Sequence, residues 1–142
     1  MNFIRLLLLL GALPLGLSAQ TLTAGTPVES FRLPTFTREG HRSMLLQGSA
    51  ALVTAARIEL REMTLTLFSG DARNLVETVI LSPVATVNPE SEEVEGAGVV
   101  RVIRDDLEIT GHGWRYDHAQ KKVSITRDAR IVFRAQLPDI LK

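Results

Sequence analysis

Strict alternation of polar and apolar residues is the feature that most constrains the fold of this chain. It occurs in "RIEL" (57–60), "MTLTLF" (63–68), "KKVSI" (121–125) and "ARIVF" (129–133). A period of two places successive side chains on opposite faces of a strand, so that one face is buried and the other meets water. The pattern predicts half-buried β-strands. The segment 49–63 is rich in Ala and Leu and would also allow a helix; we interpret it as strand, because a similar pattern recurs further along the chain.

Turn signals separate these segments at short intervals. They are "SGDARN" (69–74), "SP" (82–83), "NPES" (88–91), "GHG" (111–113) and "DHAQ" (117–120), and residues 20–30 read as a loose stretch before the first strand. Short strands with a turn every ~8–12 residues are typical of sandwiches, jelly rolls and open barrels. We predict an all-β fold of one of these kinds, in one domain over residues 20–142.

The two halves of the chain also resemble each other in pattern. "LQGSAALV" (46–53) matches "VEGAGVVR" (94–101), and "VETVIL" (76–81) matches "KVSIT" (122–126) at a similar offset. Repeated units that cannot bury an apolar face alone stack and share a core. We therefore expect two similar strand meanders of about four strands each.

The first nineteen residues have the composition of a cleavable secretory signal peptide. Arg5 precedes an apolar run, Pro14 and Gly16 follow it, and small residues end at Ala19. The apolar run is shorter than the ~20 residues of a membrane span. The interpretation is a signal peptide over residues 1–19 and a secreted mature protein; an uncleaved membrane anchor is the alternative.

Charge and cysteine content exclude several classes of protein. The chain has 16 basic and 16 acidic side chains and no Cys. Nucleic-acid binding leaves a basic stripe, which is absent here, so we expect no nucleic-acid partner. Without Cys the domain is held by its core and not by disulfides, and lipid attachment at a cysteine is excluded.

The stretch "GHGWRYDHAQKKVSI" (111–125) contains the residues that most resemble a metal or catalytic site. His112 and His118 are six residues apart, which on a continuous strand separates them by about 20 Å. Two ligands of one zinc ion both lie within about 2.1 Å of it, so this spacing disfavours a metal site unless the chain bends tightly. Asp117 would need a third ligand from elsewhere. We predict no metal and no cofactor.

Nucleophilic catalysis has little support in the sequence. A Cys–His pair is impossible, and no Ser lies in the Gly-x-Ser-x-Gly pattern. The acidic pairs Asp105–Asp106 and Glu92–Glu93 flank turns, where solvated charge is usual. A small hydrolase remains a third hypothesis, and we predict a protein that is not an enzyme.

The same stretch is better explained as strand, turn and strand. Trp114 and Tyr116 share one strand face, where large rings contribute burial and cross-strand pairing. Asp117 can accept backbone N–H bonds in the turn. Gly111 and Gly113 suggest a bulge that changes which face the side chains on either side of it address.

Residues 109–133, "ITGHGWRYDHAQKKVSITRDARIVF", resemble the hairpin unit of the OstA-like family, the periplasmic LptA and LptC proteins of lipopolysaccharide transport. The similarity lies in a Gly-containing strand, the aromatic–Asp turn of Tyr116 and Asp117, and two alternating apolar strands. Residues 58–87 resemble the same unit less closely. The resemblance implies an open twisted β-jelly roll of two packed antiparallel sheets over residues 20–142. Its apolar slot would bind acyl chains, and its edge strands would pair with neighbouring components, in the biogenesis of the outer membrane.

The slot that the resemblance implies would be lined by inward side chains of the alternating strands. An ordinary closed core is the alternative for each of them. The candidates are Ile58, Leu60, Leu65, Leu67, Trp114, Tyr116, Val123 and Ile125.

Two functions other than the small hydrolase remain open at this point. The first is a soluble, LptA-like, non-enzymatic protein that binds or bridges lipopolysaccharide acyl chains during transport to the outer membrane. The second is a structural or adaptor module that assembles through its edge strands, as a homo-oligomer or with other jelly-roll components, and binds no lipid.

Overall fold

The computed structural model describes residues 25–134, and every regular element in that part of the chain is a β-strand. This confirms the all-β prediction. The predicted signal peptide, residues 1–19, lies outside the described residues. Within residues 25–134 there is no helix long and apolar enough to cross a membrane. The strands are β1 (Thr26–Phe36), β2 (Arg42–Val53), β3 (Ile58–Phe68), β4 (Val76–Asn88), β5 (Glu93–Arg104), β6 (Leu107–Asp117) and β7 (Lys122–Phe133).

The seven strands form one open antiparallel sheet in which each strand pairs with its neighbours in sequence. The order is β1-β2-β3-β4-β5-β6-β7, so β1 and β7 are the two edges. The hydrogen-bonded ladder is continuous across the sheet, whereas the sequence led us to expect two sheets. The matched halves correspond to β2–β4 and β5–β7, which gives three strands to each half and leaves β1 without a counterpart. The expectation of about four strands in each half was therefore wrong.

A line of bulges crosses the sheet near the middle of the strands and explains why the strand predictions were too short. Ser30, Glu62 and Asp128 have φ values of 52°, 50° and 55°, and Gly113 has a φ of 69°. At each of these points the alternation of inward and outward side chains shifts or the pairing is interrupted. The predicted strands 57–60 and 63–68 are consequently one strand, β3, and 121–125 and 129–133 are one strand, β7.

Three stretches that were predicted to be turns or loose chain lie within strands. The "SP" at residues 82–83 is not a turn but lies within β4. Ser82 is a buried, inward residue of that strand, and Pro83 is exposed beside the bulge line. The "GHG" at 111–113 is a bulge within β6, as Gly111 and Gly113 suggested. Of the stretch read as loose, residues 26–30 already belong to β1, which begins at Thr26, and residues 20–24 lie outside the described residues.

One face of the sheet carries almost the whole apolar core, and we call it the core face. Residues that pair directly in antiparallel strands point to the same side, and the pairs Leu46–Leu65, Leu65–Ile80 and Ile80–Val102 follow one row across four strands. A second row runs along Ile58, Val87, Val94 and Tyr116. Both rows belong to a single cluster of buried side chains. The opposite, outer face carries most of the charged residues.

Candidate functional site: the core face, its cavity and the free edges

All eight predicted slot residues lie on the core face. Five are buried, with exposed fractions of 8% for Ile58, 1% for Leu60, 0% for Leu65, 3% for Trp114 and 1% for Tyr116. The other three, Leu67, Val123 and Ile125, are half-buried and pack against the same cluster. Five of the eight therefore belong to the buried cluster of the core face, and three lie against it.

The predicted residues form two groups that the middle of the sheet separates. The first four lie on β3, and the last four form the cross-strand pairs Trp114–Ile125 and Tyr116–Val123 on β6 and β7. Strands β4 and β5 join the groups through further apolar side chains, which the sequence reading did not select. For Ile80, Val100 and Val102 the signal was the alternation in "VETVIL" and "VVRVI". These joining residues are Ile80, Ala85, Val87, Val94, Val100 and Val102.

Trp114 is held in place by a small polar network inside the core. Its indole Nε1 donates a hydrogen bond to Ser82 Oγ at 3.1 Å, and Ser82 Oγ donates to the Val99 carbonyl oxygen at 2.8 Å. Gly96 lies opposite Trp114 across the β5–β6 pair, and a Cβ at Gly96 would lie 2.5 Å from the indole nitrogen. The ring therefore lies against backbone, with its one polar atom paired.

A cavity of about 170 Å³ opens between β1–β2 and the far end of β4–β6. Strands from opposite halves of the sheet line this cavity, which shows that the sheet curls and that its core face partly closes on itself. Sites for drug-sized ligands measure ~300–1,000 Å³, so this space would admit one chain end and not a whole ligand. The lining is apolar except for four polar residues, and consists of Leu33, Thr35, Met44, Leu46, Val87, Asn88, Pro89, Glu92, Val94 and His118.

The polar end of the cavity is built around a Tyr–His pair. The Tyr116 hydroxyl and His118 Nδ1 are hydrogen-bonded at 2.9 Å, and the His118 backbone N–H donates to the Glu92 carbonyl oxygen at 3.0 Å. Burial raises the pKa of Tyr116 to about 12. Burial also lowers the pKa of the His118 imidazole from its ordinary value. Both groups are therefore neutral at pH 7, which suits an uncharged ligand segment better than an ion.

The core face is uncovered at a corner of the sheet, where β6 begins and β7 ends beside the β5–β6 turn. Leu107 pairs with Phe133, and Ile109 with Ile131, so these four apolar side chains lie together; we call them the open corner. Ile131 is 56% exposed and Phe133 63% exposed. An apolar surface left open beside a filled core is the arrangement expected of a binding face. The alternation in "ARIVF" showed a strand here, but the sequence reading did not select these residues as slot candidates.

The two free edges of the sheet differ in composition. β1 contains Pro27 and Pro34, whereas β7 contains no proline from Lys122 to Phe133. Proline has no N–H to donate, so prolines are confined largely to edges and bulges, where they make the edge a poorer template for pairing. The β7 edge is therefore the more complete hydrogen-bonding surface.

The histidines considered for a metal site do not come together. His112 lies on the outer face, and its Nδ1 is 3.5 Å from Asp128 Oδ2, while His118 lines the cavity beyond the end of β6. Asp105 and Asp106 form the exposed β5–β6 turn. In the part of the chain that the structure describes, no three His, Cys, Asp or Glu side chains are arranged to hold a metal ion.

The geometry of the site thus consists of a curled apolar face, a small cavity on that face, an open corner and two unequal edges. No protein-family model and no curated protein matches this chain.

Proposed function

We propose that this chain is a periplasmic, non-enzymatic protein that binds or bridges lipopolysaccharide acyl chains during their transport to the outer membrane. The observation that carries the proposal is the core face, which continues without interruption from the filled centre of the sheet to the open corner. Ile131 and Phe133 expose apolar surface there, directly beside Ile109 and Leu107. An acyl chain laid along this corner would cover that surface and continue the core.

The resemblance of residues 109–133 to the OstA-like LptA and LptC proteins supports the same proposal. That segment comprises nearly all of β6 together with β7, the two strands that form the open corner. In our proposal the curled single sheet takes the place of the two-layered jelly roll of that family. The cavity lies where the two ends of the curled sheet approach each other. Secretion through a signal peptide at residues 1–19 would deliver the domain to the periplasm.

A matched pair of substitutions on β7 tests lipid binding. Ile131 and Val132 are neighbours with similar exposures, 56% and 51%, but they face opposite sides of the sheet. A carboxylate at Ile131 would meet the acyl chain, whereas one at Val132 would face water. We expect Ile131→Asp to weaken binding of purified lipopolysaccharide at least about tenfold and Val132→Asp to leave it unchanged. Equal affinities in both variants would refute the open corner as the binding face.

The filled centre of the core face favours one second candidate, an adaptor module that assembles through its edges without lipid. Leu65 and Leu60 are almost completely buried, and the cavity is only about 170 Å³. This candidate predicts complexes with other β-proteins in sedimentation experiments, but no affinity of the wild-type chain for lipopolysaccharide. A titration of the wild-type chain with lipopolysaccharide therefore separates the two functions.

A further inference from the structure

We propose that the β7 edge accepts a strand from a different protein, in which apolar side chains alternate with acidic ones. The inference rests on the edge pairing contained in the proposed function, and adds which edge is used and the chemistry of its partner. An added strand in such an arrangement gains affinity from main-chain hydrogen bonds and specificity from its alternating side chains.

The backbone selects β7 over β1. Pro27 and Pro34 each remove a donor from β1, and Ser30, with a φ of 52°, distorts the strand between them. A proline in a paired strand is tolerated where its missing N–H faces away from the neighbour, so the donors lost are those of the free edge. β7 keeps its amide groups throughout, and only Asp128 interrupts its regular path.

The side chains of β7 define a two-sided template. Val123, Ile125, Ile131 and Phe133 pair with apolar or aromatic residues of β6 and so lie on the core face. Lys122, Arg127 and Arg130 pair with Asp117, His112 and Thr110, on the outer face. A strand added beside β7 would alternate in the same way, with apolar residues continuing the core face and polar residues beside the basic side chains.

The charge of β7 determines the sign of the partner. The strand contains three basic residues and one acidic residue, and among residues 25–134 none of Lys122, Arg127 and Arg130 makes an ion pair. Asp128, the acidic residue, lies beside His112. Like charges directly opposite each other destabilise a strand pair, so a second copy of β7 is a poor partner. A partner strand with acidic residues on its outer face would pair favourably with β7.

Designed peptides of opposite charge test the inference. We would measure fluorescence anisotropy of two labelled ten-residue peptides, one alternating Val with Glu and one alternating Val with Lys, against the purified chain. We expect the Glu peptide to bind at least about tenfold more tightly than the Lys peptide, because several exposed charge pairs act together. The double variant R127E/R130E should reverse the preference. Arg32→Glu, an exposed change on the β1 edge, should not alter it.

Hydrogen exchange identifies the edge that the peptide uses. The Glu peptide should slow the exchange of β7 amides and leave β1 amides unchanged. Equal affinity for the two peptides, protection of β1, or a concentration-dependent dimer that R127E/R130E abolishes would each overturn the inference. A fourth outcome would also overturn the inference: the chain binds phosphatidylglycerol vesicles but neither peptide, and R127E/R130E abolishes vesicle binding. In that case the basic residues of β7 would contact a lipid surface.

Failure here is distinguishable from failure of the proposed function. The effect of Ile131→Asp on lipopolysaccharide binding tests the core face alone. The preference between the two peptides tests the outer face and the backbone of the β7 edge. A chain that binds lipopolysaccharide but prefers neither peptide would retain the proposed function and lose the inference.

Discussion

Gly96 provides the sharpest test of how the core face is built. A Cβ at this position would lie 2.5 Å from Trp114 Nε1 and 2.8 Å from the Val84 carbonyl oxygen. Contacts this short require the ring or the backbone to move, and Ser82 would lose its hydrogen bond from the indole. Inserting one methyl group into a well-packed core typically costs ~1–3 kcal/mol. We therefore expect Gly96→Ala to lower the free energy of unfolding by about that amount.

Gly98, two residues further along the same strand, is the matched control. A Cβ there has no neighbouring atom within 4 Å. Gly98→Ala should leave stability unchanged or raise it by up to about 1 kcal/mol, because alanine restricts the unfolded chain. Both variants can be measured by urea unfolding followed by far-UV circular dichroism, a signal that persists when Trp114, the single tryptophan of the chain, is replaced.

A double-mutant cycle with Trp114→Phe isolates the contact. Phenylalanine has no indole nitrogen, so Gly96→Ala should cost less in that background, and the difference is the coupling energy. If Gly96→Ala and Gly98→Ala have equal effects, or if the cost of Gly96→Ala is the same with Phe at position 114, the reasoning about the Trp114 contact is refuted.

Three further predictions concern the core, the bulge line and the Tyr–His pair. Leu65→Ala, at a fully buried position, should lower the free energy of unfolding by about 2–5 kcal/mol in urea titrations; a smaller loss would mean that the centre of the face is not packed. Glu62→Gly should leave stability unchanged or raise it, because glycine adopts a positive φ without strain, whereas Glu59→Gly on the same strand should cost about 0.5–1 kcal/mol in thermal unfolding. Because the pKa of Tyr116 rises from 10.0 unfolded to about 12 folded, its neutral form stabilises the fold below pH 10, and that stability should be lost as pH rises from 10 to 12; Tyr116→Phe should remove this part of the alkaline loss.

Much of the fold could be predicted from the sequence because alternation reports directly on burial. The residues of "MTLTLF" alternate between the core face and the outer face, as predicted, and Trp114 and Tyr116 share the core face. The bulge at Gly111 and Gly113 was also predictable, because glycine in a strand weakens regular pairing.

The strand lengths could not be predicted, because bulges break alternation in the same way that strand ends do. Glu62 and Asp128 adopt positive φ, a conformation that the residue type alone does not indicate. The first part of β1, up to Ser30, was read as loose; it contains Pro27, a residue that suits an edge strand as well as a loop. The number of sheets was not predictable, since the same inward residues would serve two sheets or one curled sheet.

The candidate site was predictable in its residues but not in its exposure. Periodicity identifies which side chains face inward, yet only the three-dimensional path of the sheet determines which of them stay uncovered. Leu65 and Ile131 show the same alternating pattern, and one is fully buried while the other is 56% exposed.

The central claim, that the core face binds acyl chains at its open corner, is tested most directly by a cross-linking scan along β7. A photo-reactive residue would be placed in turn at Ile125, Ile131 and Phe133 on the core face, and at Ser124, Arg130 and Val132 on the outer face. With lipopolysaccharide present, we predict lipid adducts at the three core-face positions and none at their outer neighbours. Adducts at both sets alike, or at neither, would contradict the account.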